Sequence, residues 1–112
     1  MNDEVRKNLF DVLQAAEEIR AFTRTMDFQS YSESTVTQRA VERDFETIGE
    51  ALNRIKKNDE TILQAVSGHH RIIGFRNILI HGYDTVDDRV VWSAIEGHLP
   101  VLISEIQELL NA

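Results

Sequence analysis

This chain of 112 residues has no cysteine, one proline and five glycines. Without cysteine it forms no disulfide and no thiolate metal site, which fits a reducing compartment. So little proline and glycine leaves few points at which a helix must stop. Alternating apolar–polar runs of strand length are missing, as is any apolar run near the ~20 residues that span a bilayer. The opening Met1-Asn2-Asp3-Glu4 is acidic and polar, without the basic-then-apolar order of a signal peptide. The expectation is a single cytoplasmic domain over residues 1–112, with no membrane association.

One further scarcity is local. The net charge is −7, which argues against broad binding to nucleic acid through a basic surface. Yet no Asp or Glu occurs between Glu60 and Asp84, while His69, His70, Arg71, Arg76 and His81 all do. An acidic body with one basic strip suits a site for a phosphate-bearing substrate, and the body can attract a basic partner.

What is present is helical periodicity. From about Asp3 to Met26, Val5, Leu9, Val12, Leu13, Ala16, Ile19 and Phe22 recur at steps of three and four. Asp27 to Ser34 reads as a polar connector. Thr35 with Gln38 fits a capping box opening a second long helix, which ends at Lys56, Lys57 and Asn58. A short helical piece over 60–66 precedes a break at Ser67-Gly68. His69 to Ile80 is expected to be a helix apolar nearly all round, hence buried on more than one side, by a second copy of the chain as well as by its own bundle. Gly82 is a natural stop. Thr85, with Asp87 and Asp88 behind it, opens a last helix that Pro100 should kink near Gly97. The fold class expected is all-α: an antiparallel bundle of four main helices with a short fifth.

Chemistry concentrates in Arg76-Asn77-Ile78-Leu79-Ile80-His81-Gly82-Tyr83. A guanidinium holds phosphate and an imidazole moves protons near neutral pH. On a regular helix a five-residue step rotates by about 140°. A stop at His81 or Gly82 would let the histidine swing back toward Arg76, near the negative end of the helix dipole. The reaction these residues suit is transesterification: an RNA 2′-hydroxyl attacks the adjacent phosphorus, His81 takes or delivers a proton, and Arg76 steadies the charge gained in the transition state. Asn77 can orient the phosphate or hold the ring, and Tyr83 can donate a hydrogen bond or stack on a base. The products are a 2′,3′-cyclic phosphate and a 5′-hydroxyl, with no metal and no cofactor required. The plain reading of an isolated Arg and His at this spacing is a surface cation and a helix cap, so the surrounding residues must decide.

Arg76-Asn77-x-x-x-His81-x-Tyr83, followed by Val90-Val91-Trp92 and preceded by the stretch from Ala40 to Ala51, closely resembles the HEPN superfamily and its HepT-like branch over roughly residues 5 to 110. The resemblance implies a HEPN-like homodimer whose paired Arg-His motifs meet in a cleft between subunits. It implies a metal-independent endoribonuclease acting as the toxin of a type VII-like toxin–antitoxin pair. The implied partner is an MntA-like minimal nucleotidyltransferase antitoxin that silences the toxin by transferring AMP to the motif tyrosine, here Tyr83. Chemically, an anionic nucleotide on Tyr83 would take the place and charge of the RNA phosphate.

Other residues carry less. His70 and Arg71 are candidates for contact with the RNA backbone. His69 and His70 point ~100° apart on a helix and no nearby carboxylate completes a metal set. Glu50, beside Gly49 and Ala51, either orders the active-site arginine or is a solvated carboxylate. Trp92 belongs to the core or a dimer interface, and Glu17-Glu18 to a solvated face. The absence of a Gly-rich phosphate loop and of carboxylates at metal-binding spacing disfavours an NTPase or two-metal nuclease. The rival to the ribonuclease is a non-catalytic helical module that holds a nucleotide or the nucleotidyltransferase.

Overall fold

The computed structural model describes residues 1–81 and 86–112. The described residues form seven helices: α1 (Asp3–Thr23), α2 (Phe28–Ser32), α3 (Thr35–Asn58), α4 (Glu60–Leu63), α5 (His69–His81), α6 (Asp88–Gly97) and α7 (Leu99–Asn111). The all-helical class stands as expected, with more helices than the periodicity suggested.

The Asn2 side chain accepts from the Val5 amide at 2.8 Å and so caps α1, with Asp3 and Glu4 favourable at the positive end of its dipole. Its buried stripe is Val5, Leu9, Val12, Ala16 and Ile19. The helix stops at Thr23 rather than Met26, and Phe22 lies on its exposed side. The expected connector contains α2, closed by a reciprocal capping box between Asp27 and Ser30. Its purpose in packing is Tyr31, wholly buried with its ring 5.3 Å from that of Trp92. A single aromatic among polar residues has no period to announce it.

The cap of α3 is Ser34, which accepts from the Thr37 amide, and not Thr35. Gln38 instead donates to the Tyr31 and Ser32 carbonyls, at 2.8 and 3.0 Å, tying α3 to the end of α2. Val41, Phe45, Ile48, Leu52 and Ile55 form its buried face, and Lys56 and Lys57 stand in its last turn as expected. Truncating a buried leucine such as Leu52 to alanine costs about 2–5 kcal/mol.

Gly68 adopts φ +69°, the left-handed conformation that lets the chain reverse between α4 and α5. The turn is pinned to α7, because the Ser67 amide and hydroxyl donate to the two oxygens of Glu105 at 2.9 and 2.7 Å.

The single kinked helix expected at the end of the chain is two helices. α6 ends at Gly97, and Pro100 stands within the first two positions of α7, where no amide donor is needed. The proline therefore starts a helix instead of bending one. The cap of α6 is Asp87, which accepts from the Arg89 amide at 2.9 Å. Thr85, expected in that role, lies outside the described residues.

α3 is the central element, packed most extensively on α1 and then on α5, while α1 also packs on α7. Arg6, near the start of α1, donates to the Leu110 carbonyl near the end of α7, so those two helices run antiparallel. Within this chain none of the α5 residues is fully buried: Ile72, Ile73, Phe75 and Leu79 pack half-buried against the core, while Ile78 is 61% exposed. Among the described residues no helix is long and apolar enough to cross a membrane.

Asp44 is 8% exposed on α3, and its Oδ2 has no hydrogen-bond partner. Burial, then a hydrogen bond and repulsion from Glu18 on α1, raise its carboxyl from 3.8 to about 7, with Arg43 opposing. Glu18 itself is exposed, on the solvated face expected for it. Between pH ~4 and ~7 the folded chain holds a proton that the unfolded chain has released, so this site lowers stability as pH rises through that window. Asp44→Asn is expected to raise the thermal midpoint at pH 8 by several degrees and to leave it nearly unchanged at pH 4, as read by circular dichroism melts at both values.

Candidate active site

α5 carries no acidic residue and begins at the Gly68 turn, with the Arg71 and Ile72 amides donating to the Gly68 carbonyl at 3.0 and 3.2 Å. Arg76 lies on its α3 side with 26% of its side chain accessible. A guanidinium so shielded needs acceptors. Its Nη2 faces Glu50 Oε1 on α3 at 3.5 Å, and its Nη1 donates to Asn77 Oδ1 at 3.0 Å. Its Nε is buried without a partner. The second Glu50 oxygen stands 4.0 Å from Nη2 of Arg54, one turn further along α3. Glu50 therefore pairs with the arginine across the two helices while 43% of its side chain stays accessible to solvent.

The arginine reaches this place because Gly49 lets it. A Cβ on Gly49 would collide with Arg76 Cβ, come within 2.8 Å of its Cγ and lie 3.3 Å from the Ile72 carbonyl. α3 and α5 approach as closely as backbone and a bare methylene allow. The Phe45 and Phe75 rings, edge to face at 5.5 Å, close the same helix pair.

His81 is the last residue of α5 and is exposed. Because α5 runs through it, Arg76 and His81 differ by about 140° of helical phase and about 7.5 Å of rise. The helix places both on one element, and it ends at His81, one of the two stops expected. Asn77 is exposed, and its Oδ1 accepts from the arginine. Tyr83 lies in the segment 82–85, outside the described residues, as does the Gly82 stop.

At the other end of α5, His70 and Arg71 are exposed, as an RNA-backbone contact requires. His69 is half-buried with its Nδ1 lacking a partner, and its ring meets that of His70 at 5.5 Å. Burial, then the charges of His70 and Lys56, push the His69 imidazole below its usual 6.5, so it favours the neutral form. A groove of about 650 Å³ runs along α5 beside α6 and α7, floored by Phe45, Ile72, Phe75, Ile78 and Leu99, with Arg71 and Arg89 on its lining.

Chemically, the arrangement offers a guanidinium fixed from two sides and an exposed imidazole at the end of the same helix. The first can bind a phosphate oxygen and the second can exchange a proton. Sequence reasoning missed Arg54, whose signal was its place four residues after Glu50, the favourable order for a helical ion pair.

A family model described as "Ribonuclease HepT-like" matches residues 12–109. The chain is 36% identical over 101 residues to a protein of Thermococcus cleftensis named "Probable ribonuclease HepT", covering 90% of this chain and 91% of the relative. It is 31% identical to a Methanocaldococcus jannaschii protein named as an RNase, over 96% of this chain and 88% of that one. A third relative, from Caldanaerobacter subterraneus and also named as an RNase, is 30% identical over 95% and 94% of the two chains. No solved structure matches the chain. A helical domain carrying its one basic segment on a shared helix defines the class, and the chain belongs to the HepT-like ribonuclease family of the HEPN superfamily.

Gly49→Ala sets two magnitudes against each other. Removing a mid-helix glycine gains about 1 kcal/mol of helix propensity, while forcing a Cβ into the α3–α5 contact costs about 1–3 kcal/mol or more. The atoms in the way are the Arg76 stem and a carbonyl of α5, which cannot swing aside. The expected outcome is a lower urea midpoint.

Proposed function

We propose that this chain is a metal-independent endoribonuclease, the toxin of a toxin–antitoxin pair, with Arg76 and His81 as its catalytic residues. The observation that carries the reading is the Arg76 guanidinium, held by Glu50 and Asn77 within the motif segment of a ribonuclease family. A surface cation of no consequence would not need a glycine seat and two acceptors.

In the reaction, Arg76 binds the scissile phosphate and offsets the charge that develops as the 2′-hydroxyl attacks phosphorus. One imidazole accepts the hydroxyl proton as the O–P bond forms, and a proton is delivered to the departing 5′-oxygen as its bond to phosphorus breaks. The helical phase between Arg76 and His81 favours a site completed by a second copy, so that residues of two α5 helices face one phosphate. The exposed Ile78, Ile80 and Val90 are the apolar surface such a partner would cover. RNA then runs past His70 and Arg71. AMP transfer to Tyr83 by a minimal nucleotidyltransferase antitoxin would place an anionic group two residues from His81 and exclude the substrate phosphate.

Cleavage of bulk tRNA and mRNA in EDTA is expected from unmodified protein, with 2′,3′-cyclic phosphate ends. Arg76→Ala and His81→Ala should each lower the rate by about 100-fold or more. Intact mass should show AMP gained on incubation with the antitoxin and ATP, and none gained by Tyr83→Phe. Equal cleavage by the His81 variant would remove that residue from the mechanism. No cleavage by wild type shown to be free of AMP would favour the non-catalytic binding module.

Separately, Ile78→Glu is expected to shift the chain from dimer to monomer in sedimentation and to abolish cleavage with it. A variant still dimeric would place the interface elsewhere.

A further inference from the structure

Glu50 lies between two cations. Its Oε1 is 3.5 Å from Arg76 Nη2 and its Oε2 is 4.0 Å from Arg54 Nη2. The Glu50 side chain is 43% accessible and that of Arg54 55%. Ion pairs this open and this long stabilise a fold by about 0–1 kcal/mol, so folding alone gives them little reason to exist. Their charge arithmetic is more telling. Arg76 and Glu50 alone form a neutral pair, with weak attraction for a phosphate. With Arg54 the cluster is two guanidiniums around one carboxylate, a net charge of +1 on an otherwise acidic body. The carboxylate occupies one terminal nitrogen of Arg76 while Asn77 occupies the other, which fixes the plane of the fork. Arg54, more exposed and tethered only through Glu50 among the pairs described, keeps donors available to solvent.

We propose that Glu50 is the positioning residue that orients Arg76, and that Arg54 is a second phosphate-binding cation, recognising the RNA backbone at a neighbouring phosphodiester. The inference rests on the ribonuclease reading above and deepens it. Orientation of a transition-state contact is expressed in kcat, whereas an additional backbone contact is expressed in KM and in its dependence on salt.

The test is steady-state cleavage of a defined RNA in EDTA by the full chain and its variants, across a range of salt, with thermal midpoints measured alongside. Glu50→Gln keeps the shape and removes the charge. It should lower kcat about tenfold or more while KM stays level or falls, because the site becomes more positive. Arg54→Gln should raise KM several-fold and reduce the slope of log KM against log salt by about 0.7, the value of one single-strand phosphate contact. Arg54→Lys, which restores the charge, should return that slope. Glu50→Gln with the kcat of wild type would overturn the positioning role, as would a loss of kcat matched by a loss of folded protein. An unchanged salt slope in Arg54→Gln would overturn the second contact. In both cases wild type still cleaves, so the ribonuclease reading survives; an inactive, unmodified wild type would sink both together.

Discussion

The close approach of α3 and α5 at Gly49 and Arg76 is the constraint on which the candidate site depends. A hydrogen at the α-carbon of residue 49 allows the stem of Arg76 to lie against the α3 backbone. From that seat its guanidinium reaches the acid of the next α3 residue, Glu50. Any larger residue moves α5 outward and carries the arginine away from its acceptor. The Phe45–Phe75 contact holds the same two helices together, so the geometry of the basic segment is inherited from the most central helix of the bundle.

α5 is consequently a helix with two unlike duties. One side is docked to α3 and supplies the ordered arginine. The other carries Ile78 and Ile80 into solvent and borders an apolar groove. Its low periodicity follows from that division, since apolar residues are needed on both sides. In an acidic chain of net charge −7, this is also the stretch without carboxylates, so the acidic body repels an anion least here.

Much of this was legible in the sequence because helices announce themselves by period. α1, α3 and α5 emerged within a few residues of their observed limits, and the Ser67-Gly68 break fell where the left-handed glycine stands. The departures share a cause: each turns on a contact rather than a pattern. Tyr31 makes α2 a core element through one ring buried against Trp92. Ser34 outcompetes Thr35 as a cap because Gln38 is engaged with the carbonyls of Tyr31 and Ser32. Pro100 reads as a kink until the chain is seen to break at His98 just before it. At the site, Arg76 and Glu50 were visible as candidates, but their pairing across helices was one of two open readings. Arg54 offered only its i,i+4 spacing from Glu50, a signal shared by many exposed arginines on a charged helix face.

The measurement that most directly tests the central claim uses one RNA oligonucleotide in two forms, with and without a single 2′-deoxy substitution at the bond the chain cleaves, both in EDTA. If Arg76 and His81 drive transesterification, the substituted bond is expected to stay intact while other susceptible bonds in the same strand are cut. Equal cleavage of the two forms would mean that the nucleophile is not the 2′-hydroxyl, and would contradict the mechanism built on this site.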